Sequence, residues 1–506
     1  MESLTAKNSE ARVVGRGPVE AGRCALSPGA RRQLTRFVVT ASLIFLGCGV
    51  AHIPYVSLGI FFYFFYRLIS RRLDPVDVLV VVLAVEPWLG PTRFSGFHLD
   101  RGLVLLALVS LWSANGPQYR RFMSNKLDFT FCVFLVACAL SAAFSFMYRE
   151  PFRMLLESLV LPFGYYQVAK NCAQRADILP KLYIAAIIAV LGFGILGLAE
   201  AVTKVDYLSY GETAIDPFRI SGPFRRGEDF GICMTLLLLF CFAMRTMRQQ
   251  RLVNSKFVKV LPPLGIVTCY LTLTRGAWLG FTAGWLVQAA RRNLGLVLKI
   301  TPVLALLAWV FFKIILPEIA PDVIEKRVKN DRTVDARIAT YKSALAMFVD
   351  HPVFGVGFAA FNETWERFPD RYQKVHNGEP SVASPHNIIM CLLSETGLIG
   401  VGAFVIFIAQ AFHSSFRLAR YGQSNPQREY AGFLISALTA YLVAGMGLHI
   451  VRDTDFISKY FLIFVGLGSG MIDSLGLRAK SRSARRTAPA IVEEETVGGL
   501  AVGQKV

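Results

Sequence analysis

The sequence predicts an all-α integral membrane protein, and three observations carry that prediction. Of its 506 residues, 54% are hydrophobic and 18% are charged, with a mean hydropathy of +0.46. Apolar runs such as 179–202 and 297–316 recur along the chain, and about 20 such residues span a hydrocarbon core of ~30 Å. The runs lack the two-residue alternation of a barrel, so we expect helices, which satisfy their own backbone groups.

The apolar runs predict a polytopic helical bundle of about 12–14 spans with one long, partly helical external loop. We expect a basic tail at 1–35, a transmembrane bundle at 36–316, the long loop at 317–386, further transmembrane helices at 387–475 and a disordered tail at 476–506. The first two spans are short and could form one re-entrant hairpin, because Pro54 separates them. The predicted spans begin near Arg36, Ile53, Val76, Gly102, Asp128, Arg153, Leu182, Asp229, Val260, Gly276, Leu296, Asn387, Tyr430 and Phe456.

The basic residues orient these spans by the positive-inside rule. With the N-terminus in the cytoplasm, nearly every short cytoplasmic turn carries Lys or Arg, and both tails are cytoplasmic. The net charge of +19 is then explained by the basic residues of these cytoplasmic turns. It therefore gives no reason to expect a nucleic-acid partner. The basic turns hold Arg67, Arg71, Arg72, Arg120, Arg121, Lys126, Lys170, Arg175, Lys181, the run 245–259, Arg291, Arg292, Lys299, Arg417, Arg420 and Arg428.

Arg275 is the first candidate for chemistry, because it stands between two apolar runs in Leu271-Thr-Leu-Thr-Arg-Gly-Ala-Trp-Leu-Gly280. An arginine near the bilayer interior costs about 2.5–3.5 kcal/mol on insertion scales, so it usually pairs or faces a wet cavity. The alternative is an interfacial arginine that snorkels to water. Arg219, Arg225 and Arg226, in the preceding external loop, are either surface charges or a basic mouth for an acidic substrate.

His386 is the second candidate, at the point where the long loop re-enters the membrane in Ser384-Pro-His-Asn-Ile-Ile. An unperturbed histidine, with a pKa of about 6.5, can take or give a proton near neutral pH. Asn387 beside it could hold a ring or a sugar hydroxyl. The alternative is a histidine at a helix start with no chemical task.

Arg337 is the third candidate, on a helix predicted within the long loop. Asp335 is expected to cap this helix, which runs to about Val349. Arg337 either binds an anionic ligand or forms a salt bridge with Asp331 or Asp335. Four side chains share the face expected to lie on the bundle, namely Arg337, Tyr341, Leu345 and Phe348.

Arginines beside one histidine would make a site for phosphate-like charge with a proton acceptor nearby. No Walker motif, dinucleotide fingerprint, zinc spacing or Gly-x-Ser-x-Gly elbow occurs, so no cofactor and no metal are expected. Asp453-Thr-Asp455 resembles the acidic pair of metal-dependent sugar transferases only superficially, and we expect it to balance Arg452 and cap the last span. The nine cysteines are scattered without a Cys-x-x-Cys pair, so no disulfide framework is implied.

Several motifs together resemble the O-antigen ligase and O-antigen polymerase superfamily. Their order is an Arg turn, two spans, a long external loop, Pro-x-x-Gly-x-Gly, His-Asn and Gly-x-x-Gly, and the resemblance covers roughly 200–410. The chain departs from the family by its long basic N-terminal tail and by having more spans than the usual dozen. The motifs are Arg219-Ile-Ser-Gly, the Thr-Arg-Gly-Ala turn at Arg275, 337–344, Asp350-His-Pro-Val-Phe-Gly-Val-Gly-Phe358, His386-Asn387 and Glu395-Thr-Gly-Leu-Ile-Gly400.

The resemblance implies a metal-independent, inverting glycosyltransferase of the bacterial inner membrane with a periplasmic active site. Its donor would be an undecaprenyl-diphosphate-linked oligosaccharide. Its acceptor would be a growing glycan or lipid A core. Arg275 and Arg337 would bind the donor diphosphate, and His386 would deprotonate or orient the acceptor hydroxyl. The remaining substrate-binding candidates are Arg219, Arg225, Asn387 and Tyr341.

The resemblance leaves the branch of the superfamily open. We favour a polymerase for a surface polysaccharide or exopolysaccharide over a ligase, because nothing in the sequence marks a lipid A core binder. A protein O-glycosylating relative is a third branch. Membrane lipid, a flippase and a chain-length regulator are further implied partners.

The alternative from another class is a transporter or flippase for polysaccharide or lipid-linked oligosaccharide. Transporters tend to carry inverted repeats, and this chain shows no half-to-half repeat. A membrane scaffold without chemistry would leave Arg275 unexplained.

Overall fold

The structure is a computed structural model. It describes residues 54–70, 72–89, 99–113, 122–146, 149–205, 219–224, 226–245, 255–310, 332–382, 384–448, 450–451 and 455–487. The predicted N-terminal tail and the span near Arg36 lie outside these ranges, as do residues 488–506 and residues 311–331 of the long loop. Residues 476–487, which were predicted as part of a disordered tail, are the helical end of the last helix.

Within those ranges the regular elements are helices, apart from one short hairpin. In chain order they are α1 (Pro54–Ile69), α2 (Pro75–Ala84), α3 (Glu86–Leu89), α4 (Leu99–Ser113), α5 (Lys126–Ala143), α6 (Arg149–Leu155), a π-helical turn (Leu156–Val160), α7 (Leu161–Cys172), α8 (Ile178–Thr203), α9 (Gly227–Met244), α10 (Ser255–Leu271), α11 (Arg275–Val310), α12 (Arg332–Asp350), α13 (Phe361–Arg367), α14 (Pro369–Tyr372), β1 (Val375–His376), β2 (Glu379–Pro380), α15 (Ile388–Tyr421), α16 (Asn425–Gly445) and α17 (Asp455–Thr487). The strands β1 and β2 pair antiparallel.

Five of the described helical segments are long and apolar enough to cross a membrane, which confirms the predicted all-α polytopic class. They are Lys126–Ala143, Ile178–Thr203, Gly227–Met244, Ile388–Tyr421 and Phe456–Leu475. Four shorter apolar helical segments are Gly59–Ile69, Pro75–Ala84, Arg101–Trp112 and Val260–Leu271. The other predicted spans fall on helices that are less apolar or interrupted. For example, the predicted spans near Gly276 and Leu296 lie on the two sides of a non-helical break at Asn293 (φ −156°, ψ 90°), which divides α11 into two helical segments.

The centre of the bundle is formed by α9 and α17, whose spanning segments are 89% buried, whereas α5 is 44% buried and lies at the edge. A helix that is apolar on all sides, as α9 is, belongs in an interior. Phe240 of α9 packs against Phe433 of α16 and Phe464 of α17, with ring centroids 5.1 and 5.0 Å away. The aromatic contacts therefore tie α9, α16 and α17 together.

Two buried ion pairs join α17 and α7 to earlier helices. Lys459 Nζ lies 2.6 Å from Glu86 Oε1, and Lys170 pairs with Asp128, which also accepts from the Tyr166 hydroxyl at 2.5 Å. Buried charges are stable only when paired in this way. The pairs explain how four charged side chains are accommodated inside an apolar bundle.

Helices α11 and α16 pack antiparallel with their backbones in contact. A Cβ on Gly280 would lie 2.7 Å from the Ala440 carbonyl oxygen, and one on Gly284 would lie 2.9 Å from that of Ser436. Glycines spaced by four residues share one helix face and permit this close approach. The stripe consists of Gly276, Gly280 and Gly284, so the start of α11 lies against the end of α16.

Charged residues lie beside the break in α11 and near the start of α16. Arg292 Nη2 lies 3.4 Å from Glu429 Oε2 and donates to the Phe242 carbonyl at 3.2 Å. At 1.5 Å per residue, Arg292 is about 26 Å along α11 from Arg275. The two basic clusters of α11 therefore occupy opposite ends of the bundle.

The long loop forms a small subdomain from α12, α13, α14 and the hairpin. Its core contains Ala344, Met347, Val356, Ala360, Phe361 and Tyr372. This core determines which side of α12 is buried. The prediction that the face with Arg337, Tyr341 and Leu345 packs on the bundle is therefore wrong. Ala339 and Ser343 are fully buried, whereas Leu345 is 44% exposed. The predicted cap is also wrong, because Asp335 lies inside the first turn of α12.

Candidate functional site

The turn that carries Arg275 is braced by Arg219. Arg219 Nε donates to the Thr272 carbonyl at 3.1 Å, and its Nη2 donates to Thr274 Oγ1 at 3.0 Å. Arg275 itself is exposed at the first position of α11. The structure therefore brings two of the predicted arginines to one turn.

A carboxylate from α8 holds the segment that presents Arg219. Glu200 Oε2 accepts the N–H of Ser221 at 3.1 Å and the N–H of Gly222 at 2.8 Å. Gly222 has φ +55°, which glycine adopts without steric cost. Phe224, only 2% exposed, closes the segment, so residues 219–224 form a strap, which we call the Arg219 strap.

His386 and Asn387 stand at the start of α15. Asn387 is the N-cap, because its Oδ1 accepts from the N–H groups of Ile389 (2.9 Å) and Met390 (3.1 Å). Its Nδ2 donates to the Met446 carbonyl at 3.0 Å. His386 is half-buried and has φ +42°, a left-handed conformation that side chains rarely adopt. Asn387 thus fixes the backbone that presents the imidazole.

The end of α16 is where the two turns meet. A Cβ on Gly276, next to Arg275, would touch the Ala444 carbonyl oxygen at 3.1 Å, and one on Gly447 would lie 3.8 Å from the Gly276 Cα. Asn387 contacts Met446 in the same stretch. The Arg275 turn and the His386 turn therefore lie on the same short segment, 444–448, at one end of the bundle.

Arg337 and Tyr341 lie half-buried on α12. Within the described ranges, no side chain forms an ion pair with Arg337, and the alternative salt bridge to Asp335 is not formed. Asp335 instead accepts from Asn377 Nδ2 at 3.1 Å and lies 3.7 Å from His376 Nε2. The other alternative partner, Asp331, lies outside the described residues.

A hydrogen bond connects α12 to the chain that leads to His386. Thr340, one turn after Arg337, accepts the N–H of Val382 through Oγ1 at 2.8 Å. Helix α12 also packs against α15. Helix α12, which carries Arg337, therefore contacts Val382 just before His386 and α15, which begins just after it.

The glycine motif of the long loop locks onto a break in α15. Gly397 has φ +61° and ψ −160°, and the freed groups of α15 accept from Val356 and Gly357 N–H, each at 2.9 Å. The Glu395 side chain accepts from Ala359 N–H at 3.0 Å. A Cβ on Gly355 would lie 2.3 Å from the Glu395 carbonyl carbon. The motif therefore anchors the subdomain to the spanning helix.

An acidic residue at the end of α12 secures α14. Asp350 accepts from Arg371 Nε at 2.8 Å and from the Tyr372 hydroxyl at 2.9 Å. The hydrogen bond from Arg371 lowers the pKa of Asp350 below its usual value. Burial, together with the Asp350 charge, raises the pKa of Tyr372 to about 12. Both groups therefore keep their hydrogen-bonding forms across the neutral range.

The predicted site is only partly described by the structure. Arg225 lies outside the described residues, as do Arg452 and Asp453. Sequence reasoning missed Glu200, although an acidic residue inside an apolar run is itself a functional signal in membrane proteins.

Residues 263–405 match a protein-family model described as O-antigen ligase. No curated protein matches the chain. The matched region begins in α10, ends in α15 and contains Arg275, Arg337 and His386, whereas the Arg219 strap lies before it. This match confirms the predicted resemblance to the O-antigen ligase and polymerase superfamily over residues 263–405.

Proposed function

We propose that this O-antigen ligase-type membrane protein is an inverting glycosyltransferase that polymerises undecaprenyl-diphosphate-linked glycan units at the periplasmic face of the bacterial inner membrane. One observation carries the proposal. The Arg219–Arg275 turn and the His386–Asn387 turn both contact segment 444–448 at the end of the bundle opposite Arg292. Cations and a potential base thus stand together at one rim of the membrane.

The arginines would bind the donor diphosphate. A guanidinium forms bidentate, charge-assisted hydrogen bonds with phosphate oxygens. Arg275 is exposed to solvent at the start of α11, and Arg337 has no ion-pair partner within the described ranges, so both guanidinium groups are proposed to contact the diphosphate. Arg219 orients the turn and lies 4.0 Å from Glu228 Oε2. Arg225 falls outside the described residues, and we propose it as a further substrate-binding group. No metal ion is invoked, because arginines can neutralise the leaving diphosphate.

The chemical step follows from this arrangement. The acceptor hydroxyl attacks the anomeric carbon of the donor, and the bond from that carbon to the diphosphate oxygen breaks with inversion. The hydroxyl proton passes to the His386 imidazole. The electron pair leaves on the lipid diphosphate, whose growing charge the arginines stabilise. Tyr341 and the second amide hydrogen of Asn387 are the groups proposed to orient the sugars.

The orientation of the site follows from charge. Arg292 and Glu429 lie at the end opposite Arg275, where the neighbouring turns also carry many basic residues. By the positive-inside rule that end faces the cytoplasm, and the site then faces the periplasm. A flippase that delivers the donor and a chain-length regulator are further partners that we propose from the superfamily resemblance.

Alanine substitution tests the three proposed catalytic residues. We expect Arg275→Ala, Arg337→Ala and His386→Ala each to abolish polymer formation while the protein still inserts at normal abundance. Arg292→Ala is the matched control, because it removes an arginine from the far end of the same helical segment, next to the break at Asn293. Polymer at the wild-type level from all three site variants would refute the proposal.

Purified protein separates polymerase from ligase. In vesicles with a lipid-diphosphate repeat unit alone, a polymerase makes lipid-linked glycan of increasing length. A ligase instead requires lipid A core and attaches the glycan to it. Transfer only to lipid A core would replace the polymerase assignment by the ligase one.

A further inference from the structure

Helix α5 exposes a continuous apolar stripe along its whole length. Phe129, Val136 and Phe144 are 61%, 57% and 67% exposed, with Val133 and Leu140 between them. The spacing of three and four residues places these side chains on one helix face. Because α5 is a candidate membrane span at the edge of the bundle, this stripe is the surface that meets lipid tails.

The stripe does not stop where α5 ends. Beyond Ala143 the chain exposes Phe146 at 61%, and Phe368 of the subdomain packs on it with ring centroids 5.8 Å apart. Phe144 packs on Phe354 at 4.7 Å. Aromatic side chains from the subdomain therefore extend the lipid-facing surface of α5 without a gap.

A cation sits at the outer edge of this surface. The Arg367 guanidinium carbon lies 4.4 Å from the ring centroid of Phe146 and 5.9 Å from that of Phe368. Arg367 is exposed, and within the described ranges no carboxylate lies within ion-pair distance of it. Arg371 nearby is, in contrast, bound to Asp350. An exposed guanidinium that stacks on aromatic rings is suited to bind phosphate.

We propose that the subdomain is seated in the membrane interface through an interfacial patch made of Phe144, Phe146, Phe354, Phe368 and Arg367. The rings enter the boundary between the lipid tails and the headgroups, and Arg367 binds phospholipid phosphate. The order is that of known interfacial anchors, with apolar rings below and a cation above. If a second copy of the chain covered the patch instead, it would not explain why Arg367 lies at the end of the apolar stripe of the membrane-spanning helix α5.

The patch fixes the height of the subdomain above the membrane. Asp350 ends α12 and holds α14, which directly follows Arg367 and Phe368. Binding of the patch to lipid therefore also sets the position of α12, the helix that carries Arg337, relative to the membrane. This inference stands on the patch alone and does not require the proposed reaction.

Site-specific photocrosslinking tests the seating. The full-length protein is prepared with p-benzoylphenylalanine at Phe146 or Phe368 and reconstituted in vesicles of phosphatidylethanolamine and phosphatidylglycerol without polyprenyl lipid. Val375 is the matched control, because it is 60% exposed on the hairpin. Val375 is also remote from the patch, because the next residue, His376, contacts Lys342. Lys342 lies about 12 Å along α12 from Asp350.

We expect covalent phospholipid adducts, detected by mass spectrometry, at positions 146 and 368 and at least tenfold fewer at 375. Both replaced side chains are at the surface, and a single gel-filtration peak verifies folding. Adducts to a second protein chain would overturn the proposal in favour of a dimer contact. Equal adduct yields at 146, 368 and 375, or none at 146 and 368, would also overturn it.

Discussion

Replacement of Glu200 should disable the site through the Arg219 strap without touching substrate. Glu200 is 6% exposed and accepts two backbone N–H groups through one oxygen. Hydrogen bonds to a charged group contribute about 1.5–3 kcal/mol each, so Glu200→Ala removes roughly 3–6 kcal/mol of local stabilisation. At 1.4 kcal/mol per tenfold, the lower bound corresponds to about a 100-fold loss of correctly positioned Arg219.

A graded series separates this positioning role from loss of fold. Glu200→Gln keeps an oxygen that accepts both N–H groups, but neutral hydrogen bonds contribute only about 0.5–1.5 kcal/mol each. We therefore expect a loss of about 2 kcal/mol, or roughly 30-fold, for Gln and a larger loss for Ala. The assay is kcat/KM for donor consumption in vesicles, with amide exchange at Ser221 and Gly222 as a readout independent of activity.

A double substitution shows whether Glu200 acts through Arg219. If it does, Arg219→Ala combined with Glu200→Ala should be no worse than Arg219→Ala alone, because coupled residues are not additive. Additive losses in the double variant would refute the reasoning. So would Glu200→Ala with wild-type kcat/KM and unchanged exchange at both amides.

Two further predictions concern packing and pH. Gly280→Leu should lower the free energy of unfolding by about 1–3 kcal/mol, because the new side chain meets the Ala440 carbonyl, whereas Gly402→Leu, with nothing within 4 Å of its Cβ, should be nearly neutral. Thermal unfolding in detergent measures both, and equal melting temperatures for the two variants would contradict this packing. Since the Asp350 pKa is lowered from 3.8, its contribution to stability is present above that pH and is lost as the pH falls through the lower folded value. Pepsin should therefore cut near Phe368 increasingly below about pH 4, and Asp350→Asn should remove this dependence; cleavage of the wild type independent of pH would refute it.

The sequence was most informative where polarity interrupts an apolar run. Spans were predicted to begin near Gly276 and Asn387, where the apolar runs begin, and the structure starts helices at Arg275 and Ile388, with Asn387 as the N-cap. The side chain of Asn387 was expected to hold substrate, but its carbonyl oxygen is used to cap α15. That use depends on helix geometry, which residue type alone does not fix.

Tertiary contacts explain what the sequence did not show. The buried face of α12 depends on Phe361 and Tyr372, which fold back from later in the chain and compete with the bundle for its apolar side. Glu200 was overlooked because its partners are backbone groups of Ser221 and Gly222, which carry no pattern in sequence. Contacts of this kind become visible only when segments distant in sequence are brought together.

The break at Gly397 limits how residues 352–357 and 394–398 can vary among related proteins. The peptide groups released by the break are matched one by one to residues 352–357, so neither stretch has a satisfied backbone without the other. A hybrid that took 352–357 from one relative and the 394–398 segment from another would need both shapes to agree to within a few tenths of an ångström at Gly355. The two stretches should therefore be exchanged between relatives as one module, while the exposed surface of the hairpin is free to diversify.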